Sequence, residues 1–170
     1  MAKIAYGKLK LTKNNDTKEI IWGENKIEVK QYLPFQDKLG LITDVLNLIQ
    51  DDNNFMNNAK LDVMFKMHIV LYYAEINFTE KQKEDLWKLY DLFENSGLLN
   101  KIIETVPEEE YQQLYAWTYS IARNIYDYRN SIYGILDAIK NDYGDLDLDI
   151  DKLREALAQG DNLELLKDVM

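Results

Sequence analysis

Residues 107–143, PEEEYQQLYAWTYSIARNIYDYRNSIYGILDAIKNDY, constrain this chain more than any other stretch. One proline stands at the start and Gly134 is the one interior glycine. Leu114, Trp117, Ile121, Ile125, Tyr128, Ile132, Ile135 and Ile139 recur at three- and four-residue steps and draw an apolar stripe along a helix. Tyr111, Tyr115, Tyr119, Ala122, Tyr126 and Tyr133 draw a second stripe beside it. A helix on the edge of a domain needs one such face, so two predict packing on both flanks. The expectation is one long central helix of roughly 50 Å. Ile121, Ile125, Ile132 and Ile135 should then be among the most buried side chains, with Ile125→Ala costing about 2–5 kcal/mol.

The rest of the composition narrows the class. With 170 residues, 46% of them apolar, the chain can bury one compact core, and only two prolines argue against disorder. There is no cysteine, which excludes disulfides and thiolate chemistry and fits a reducing compartment. No run approaches ~18 apolar residues, so no membrane span is expected. The start, MAKIAYGKLKLTKNN, lacks the apolar segment of a signal peptide. The formal charge of −10 is uneven: residues 1–40 carry eight lysines against five acids, whereas residues 41–170 carry 12 Lys plus Arg against 25 acids. An acidic body repels phosphate backbones, so nucleic acid is not an expected partner.

Residues 3–12 alternate weakly and read as a short strand or an ordered arm. KEIIW, a turn at Gly23-Glu24-Asn25, and KIEVKQYL give the clearest β signal, with Ile27, Val29, Gln31 and Leu33 on one side. Pro34 stops the strand and opens a helix whose buried stripe is Leu39, Ile42, Val45, Leu46 and Ile49. Residues 59–77 are apolar nearly all round, the mark of a buried helix. Thr79 and Gln82 form a capping-box pattern ahead of Leu86, Leu89, Tyr90 and Phe93, and Ser96-Gly97 closes that helix. A short helix from Leu98 to about Thr105 follows, and further short helices are expected beyond Tyr143-Gly144. The fold class is thus mainly α: a single helical domain, residues 34–170, around one long central helix, with a small N-terminal β-hairpin appendage, residues 1–33.

Candidate chemistry is sparse. His68 is the only histidine, and it lies mid-helix among Met64, Met67 and Tyr72, where a packing role outweighs a general-base role. Asp145, Asp147, Asp149 and Asp151 fail the calcium-loop pattern, because Ile150 or Lys152 occupies the glycine position and Ala156 or Ala158 the glutamate position. Glu108, Glu109 and Glu110 suit the positive end of a helix dipole better than paired-carboxylate catalysis. Phosphate-binding glycine loops, metalloprotease and serine-hydrolase motifs are absent. No enzyme, cofactor or metal is expected. Twelve tyrosines are mostly core material, yet tyrosine also serves interfaces, so Trp22, Tyr32, Tyr119, Tyr126 and Tyr133 are the candidate partner contacts.

Four stretches carry a resemblance: IEVKQYLPFQDKLGLI (27–42), INFTEKQKEDLWKLYDL (76–92), SGLLNKIIETVPEEEY (96–111) and YDYRNSIYGILDAIKNDY (126–143). Together they resemble uncharacterised proteins from structural-gene clusters of Firmicutes phages and prophages. The hairpin, helical body and acidic balance are similar in architecture to phage tail assembly chaperones. The resemblance implies a morphogenesis protein that binds another phage protein, a tape-measure or a tail or head component, in the cytoplasm of the infected host. Two alternatives stay open: a small head–tail joining or decoration subunit of the virion, and an acidic inhibitor of a host defence system. The resemblance implies no catalytic residues, and oligomeric state is left open.

Overall fold

A computed structural model describes residues 3–12, 14–50 and 56–142. The expected features at Lys13, Phe55, Asp145 to Asp151 and the C-terminal helices lie outside the described residues. The chain divides into two units, residues 1–50 with 57–120 and residues 51–56 with 121–170.

Of the two readings of residues 3–12 at the start of the first unit, a short strand or an ordered arm, the strand does not form: the segment carries a 3-10 turn at Tyr6–Leu9. Strands β1 (Thr17–Trp22) and β2 (Asn25–Lys30) then pair antiparallel, Trp22 opposite Asn25 and Thr17 opposite Lys30. Only Gly23 in the two-residue loop has positive φ, +59°, the glycine position of a type II′ turn. Alternation puts Ile27 and Val29 inward, with Leu33 buried beyond the strand end. The hairpin is built into this unit and is no appendage. Val29 bridges to Ala74, Glu75 N–H donates to the Glu28 carbonyl at 2.9 Å, and the Gln31 side-chain amide donates to the Thr105 carbonyl at 3.0 Å. Two strands alone are marginal in water, and these bonds with the buried Ile20, Ile27 and Val29 anchor them.

Helix α1 (Phe35–Ile49) starts after Pro34, whose missing N–H would have been unpaired there in any case. Its buried positions are Lys38, Leu41, Ile42, Val45 and Ile49. Leu39, expected in the buried stripe, faces solvent. Helix α2 (Asn58–Tyr73) is the true centre of the unit. Asn57 caps it by accepting from Lys60 N–H at 3.0 Å, and Leu61, Met64, Phe65, Met67, His68, Ile69, Val70 and Tyr73 are all buried. Apolar residues occupy nearly every phase of this helix, and only a narrow strip around the Asp62–Lys66 ion pair is left to water.

The Thr79–Gln82 capping box forms as expected, but on a single turn, α3 (Glu80–Lys83). Asp85 then supplies a second cap, accepting from Lys88 N–H at 3.1 Å, and α4 (Leu86–Ser96) begins anew. Gly97, at φ +79°, ends α4 and leads straight into α5 (Leu98–Thr105).

Helix α6 (Glu108–Arg129) follows Pro107. Its buried positions in the first unit are Leu114 and Thr118, with Tyr111, Tyr115 and Tyr119 half-buried. In the second unit the same phase continues with Ala122 and Tyr126. The line Leu114, Thr118, Ala122 and Tyr126, between the two expected stripes, therefore packs inward, with Tyr111, Tyr115 and Tyr119 half-buried beside it and Trp117 and Ile121 on the shoulder. Ile121, Ile132 and Ile135, expected among the most buried side chains, are exposed and Ile125 is half-buried; Trp117 of the same stripe is exposed too.

The single rod over residues 107–143 is also corrected: it breaks at Asn130-Ser131, and α7 (Ile132–Asp142) is a separate helix. Short polar side chains cause the break by bonding to backbone. Asn130 Nδ2 donates to the Tyr126 carbonyl at 2.9 Å and Ser131 Oγ to the Tyr128 carbonyl at 2.6 Å, while Ser131 Oγ accepts from Gly134 N–H at 3.2 Å as the cap of α7. Gly134 is required here, since a Cβ on it would run into the Tyr128 carbonyl oxygen. Gly134→Ala is expected to destabilise the second unit by about 1–3 kcal/mol, the usual penalty of overpacking. Chemical denaturation followed through a probe on α7 measures it.

Candidate functional site

Two features of the first unit meet on α1 and α6. One is a buried polar node. Lys38 and Glu110 are charged residues at core phase, in step with Leu41, Ile42 and Val45 on α1 and with Leu114 on α6. Their side chains are 6% and 11% exposed and pair at 2.7 Å. The other Glu110 oxygen accepts from Leu33 N–H at 3.2 Å and from the Tyr73 hydroxyl at 3.0 Å. The Lys38 ammonium also lies 4.5 Å from the centre of the Tyr32 ring. Burial, reinforced by the charge of Glu110 and its hydrogen bond, pushes the Tyr73 phenol well above its ordinary range, so it serves as a fixed donor. Every member of this node is engaged, as a buried charge pair requires. Its role is therefore structural, setting α1 against α6 and the end of β2.

The other feature is the apolar surface this alignment presents. Phe35 and Leu39 are one turn apart on the outer side of α1, and Trp117 stands on the shoulder of α6. Phe35 meets Trp117 edge-on, with ring centres 6.5 Å apart. Phe35 is nevertheless 60% exposed, Leu39 45% and Trp117 37%. Three large apolar side chains held open on two helices are what a protein-binding surface presents.

The expected contact residues are dispersed. Trp22 is half-buried beneath the Lys101 ammonium, which is 5.1 Å from its ring centre. Tyr32 is exposed beside Lys38. Tyr119 is half-buried and stacked on Tyr115, with ring centres 6.4 Å apart. In the second unit Tyr126 is buried and Tyr133 is exposed. Of the five, Tyr32 and Tyr133 offer open faces. Phe35, Leu39 and Trp117 are not among the expected contacts, though an aromatic residue directly after the helix-opening Pro34, off the phase of Leu41, Ile42 and Val45, is a readable sign of exposure for Phe35.

His68 is buried, and its Nδ1 lies 2.7 Å from the Met64 carbonyl one turn back, a geometry that makes Nδ1–H the donor. Burial lowers its pKa from 6.5, opposed by the Met64 bond and by the charge of Asp44. Asp44 itself accepts from the Tyr72 hydroxyl at 2.7 Å, and burial together with this carboxylate pushes that phenol up to about 12. An unfolded chain protonates His68 near pH 6.5 while the folded chain resists, so the unfolded state binds more protons as pH falls. Stability should be complete above that pH and decline below it, by at most about 1.4 kcal/mol per pH unit. Urea midpoints from about pH 7.5 to about pH 5 should show this slope in the wild type and lose it in His68→Gln.

A surface hollow of about 520 Å³ lies along α3 and α4, but its Thr79, Gln82 and Asp85 are occupied in the helix caps already described. No group of three or more His, Asp or Glu side chains that could hold a metal ion occurs among the described residues. No helix among them is long and apolar enough to cross a membrane. No protein-family model, curated protein or solved structure matches the chain.

Proposed function

We propose that this chain acts by binding another protein during phage morphogenesis, in the manner of a tail assembly chaperone in the cytoplasm of the infected host. The observation that carries the reading is the open Phe35–Leu39–Trp117 surface, held in place by the Lys38–Glu110 pair beneath it. An apolar segment of a tape-measure protein is the partner such a surface suits, and the net charge of −10 keeps the complex dispersed.

Co-expression with the tape-measure protein of the same phage gene cluster should give a soluble complex. Phe35→Ala with Leu39→Ala should abolish it while leaving the thermal midpoint within a few degrees, because these are the two most open side chains of the surface. Failure to form the complex, with the chain present in purified virions at fixed stoichiometry, would replace this reading with that of a virion subunit.

A further inference from the structure

Residues 3–12 bury nothing. Ile4, Tyr6, Leu9 and Leu11 all stand exposed, and Lys3, Lys8 and Lys10 are the charged residues of the segment, with no acid among them. From Lys8 to Leu11 basic and apolar residues alternate strictly, the period of a strand with one wet and one dry side. The segment nevertheless turns at Tyr6–Leu9, and Lys10 has φ +48°, which bends the chain away from an extended path.

The sheet, for its part, has an open edge. A two-residue loop makes Trp22 and Asn25 a hydrogen-bonded pair, and such pairs alternate along an antiparallel ladder. Ile20, Lys18 and Asp16 therefore face β2, and the 2.9 Å bond from Gln31 N–H to the Asp16 carbonyl fits that phase. Thr17, Glu19 and Ile21 consequently aim their backbone groups outward, and all three residues are exposed. The outer edge of β2 is taken by Ala74 and Glu75, whereas among the described residues β1 has no strand beyond it.

We propose that residues 3–12 of one copy add as a third strand to the outer edge of β1 in a second copy of this chain. Charge fits the occupant locally: on its open side β1 itself carries Thr17, Glu19 and Ile21, with Glu19 the one charge, and the arm brings lysines and no acid. In an added strand Leu9 and Leu11 extend the side that holds Ile20 and Ile27, and Lys8 and Lys10 lie next to Glu19, with Lys26, Glu28 and Lys30 one strand further away. Within one chain the 3-10 turn and the bend at Lys10 depart from the extended path such a strand needs. Main-chain bonds supply the attachment and the alternating side chains its register.

Light scattering coupled to size exclusion, run on the full chain across micromolar to millimolar concentrations, should show a dimer or larger assembly. A variant lacking residues 1–12 should be monomeric with an unchanged circular dichroism spectrum, since the segment buries nothing. Glu19→Pro should also be monomeric, because the N–H it removes points away from β2 and the hairpin ladder stays whole. Lys8→Glu with Lys10→Glu should weaken assembly at low salt. A full chain that is monomeric throughout, or a truncated or Glu19→Pro chain that still assembles, would overturn the proposal.

Discussion

Glu110→Ala is expected to destabilise the first unit by about 3–5 kcal/mol, the cost of leaving a buried charge without its partner. Lys38 would keep its ammonium in a site only 6% exposed, and Leu33 N–H and the Tyr73 hydroxyl would lose their shared acceptor. The control is a double variant, Lys38→Met with Glu110→Leu, which removes both charges together. It should lose markedly less than the single variant, because a buried ion pair gains little over apolar groups of similar volume. Urea denaturation of the three proteins measures the difference. Equal losses in single and double variants would mean that the acceptor role of Glu110 toward Leu33 and Tyr73, and not its charge, sustains the fold.

Phe65→Ala should cost about 3–5 kcal/mol, the range for removing a buried aromatic ring. Phe65 is fully buried on α2 and meets the rings of Tyr111 and Tyr115 edge-on, at 5.3 and 5.2 Å between centres. Such arrangements add to the effect of area alone. Ile125→Ala, by contrast, removes a half-buried side chain and should cost only about 1 kcal/mol. A loss for Ile125→Ala as large as that for Phe65→Ala would restore the expectation that the Ile stripe of residues 107–143 is the buried one.

Much of the fold is legible in the chain because local chemistry decides it. Gly23 between two alternating runs gives the hairpin, Thr79 with Gln82 gives a cap, and Gly97 gives a stop. Leu61 to Tyr73 read as buried because apolar residues occupy nearly every phase of that helix, Asp62 and Lys66 excepted. What is not legible is which apolar stripe of α6 finds a neighbour. Tyr111, Leu114 and Tyr115 are no more apolar than Trp117 or Ile121, and only the position of Phe65 settles the choice. The break at Asn130-Ser131 escapes notice for a related reason, since the apolar spacing runs through it unbroken while two short polar side chains claim the backbone. Glu110 looks like a response to the helix dipole until Lys38, far away in the chain, is seen against it. The open surface is hidden likewise: Leu39 and Trp117 have the spacing of core residues, and exposure is a property of what lies opposite.

The bond between Glu75 N–H and the Glu28 carbonyl has a consequence for synthesis on the ribosome. The hairpin leaves the exit tunnel well before the residues that close its second edge, because α1 and all of α2 lie between them. At ~5–20 residues per second that interval is on the order of 2–9 s. For those seconds the nascent ribbon is bare along both sides, and its safety depends on whatever else waits at the tunnel mouth.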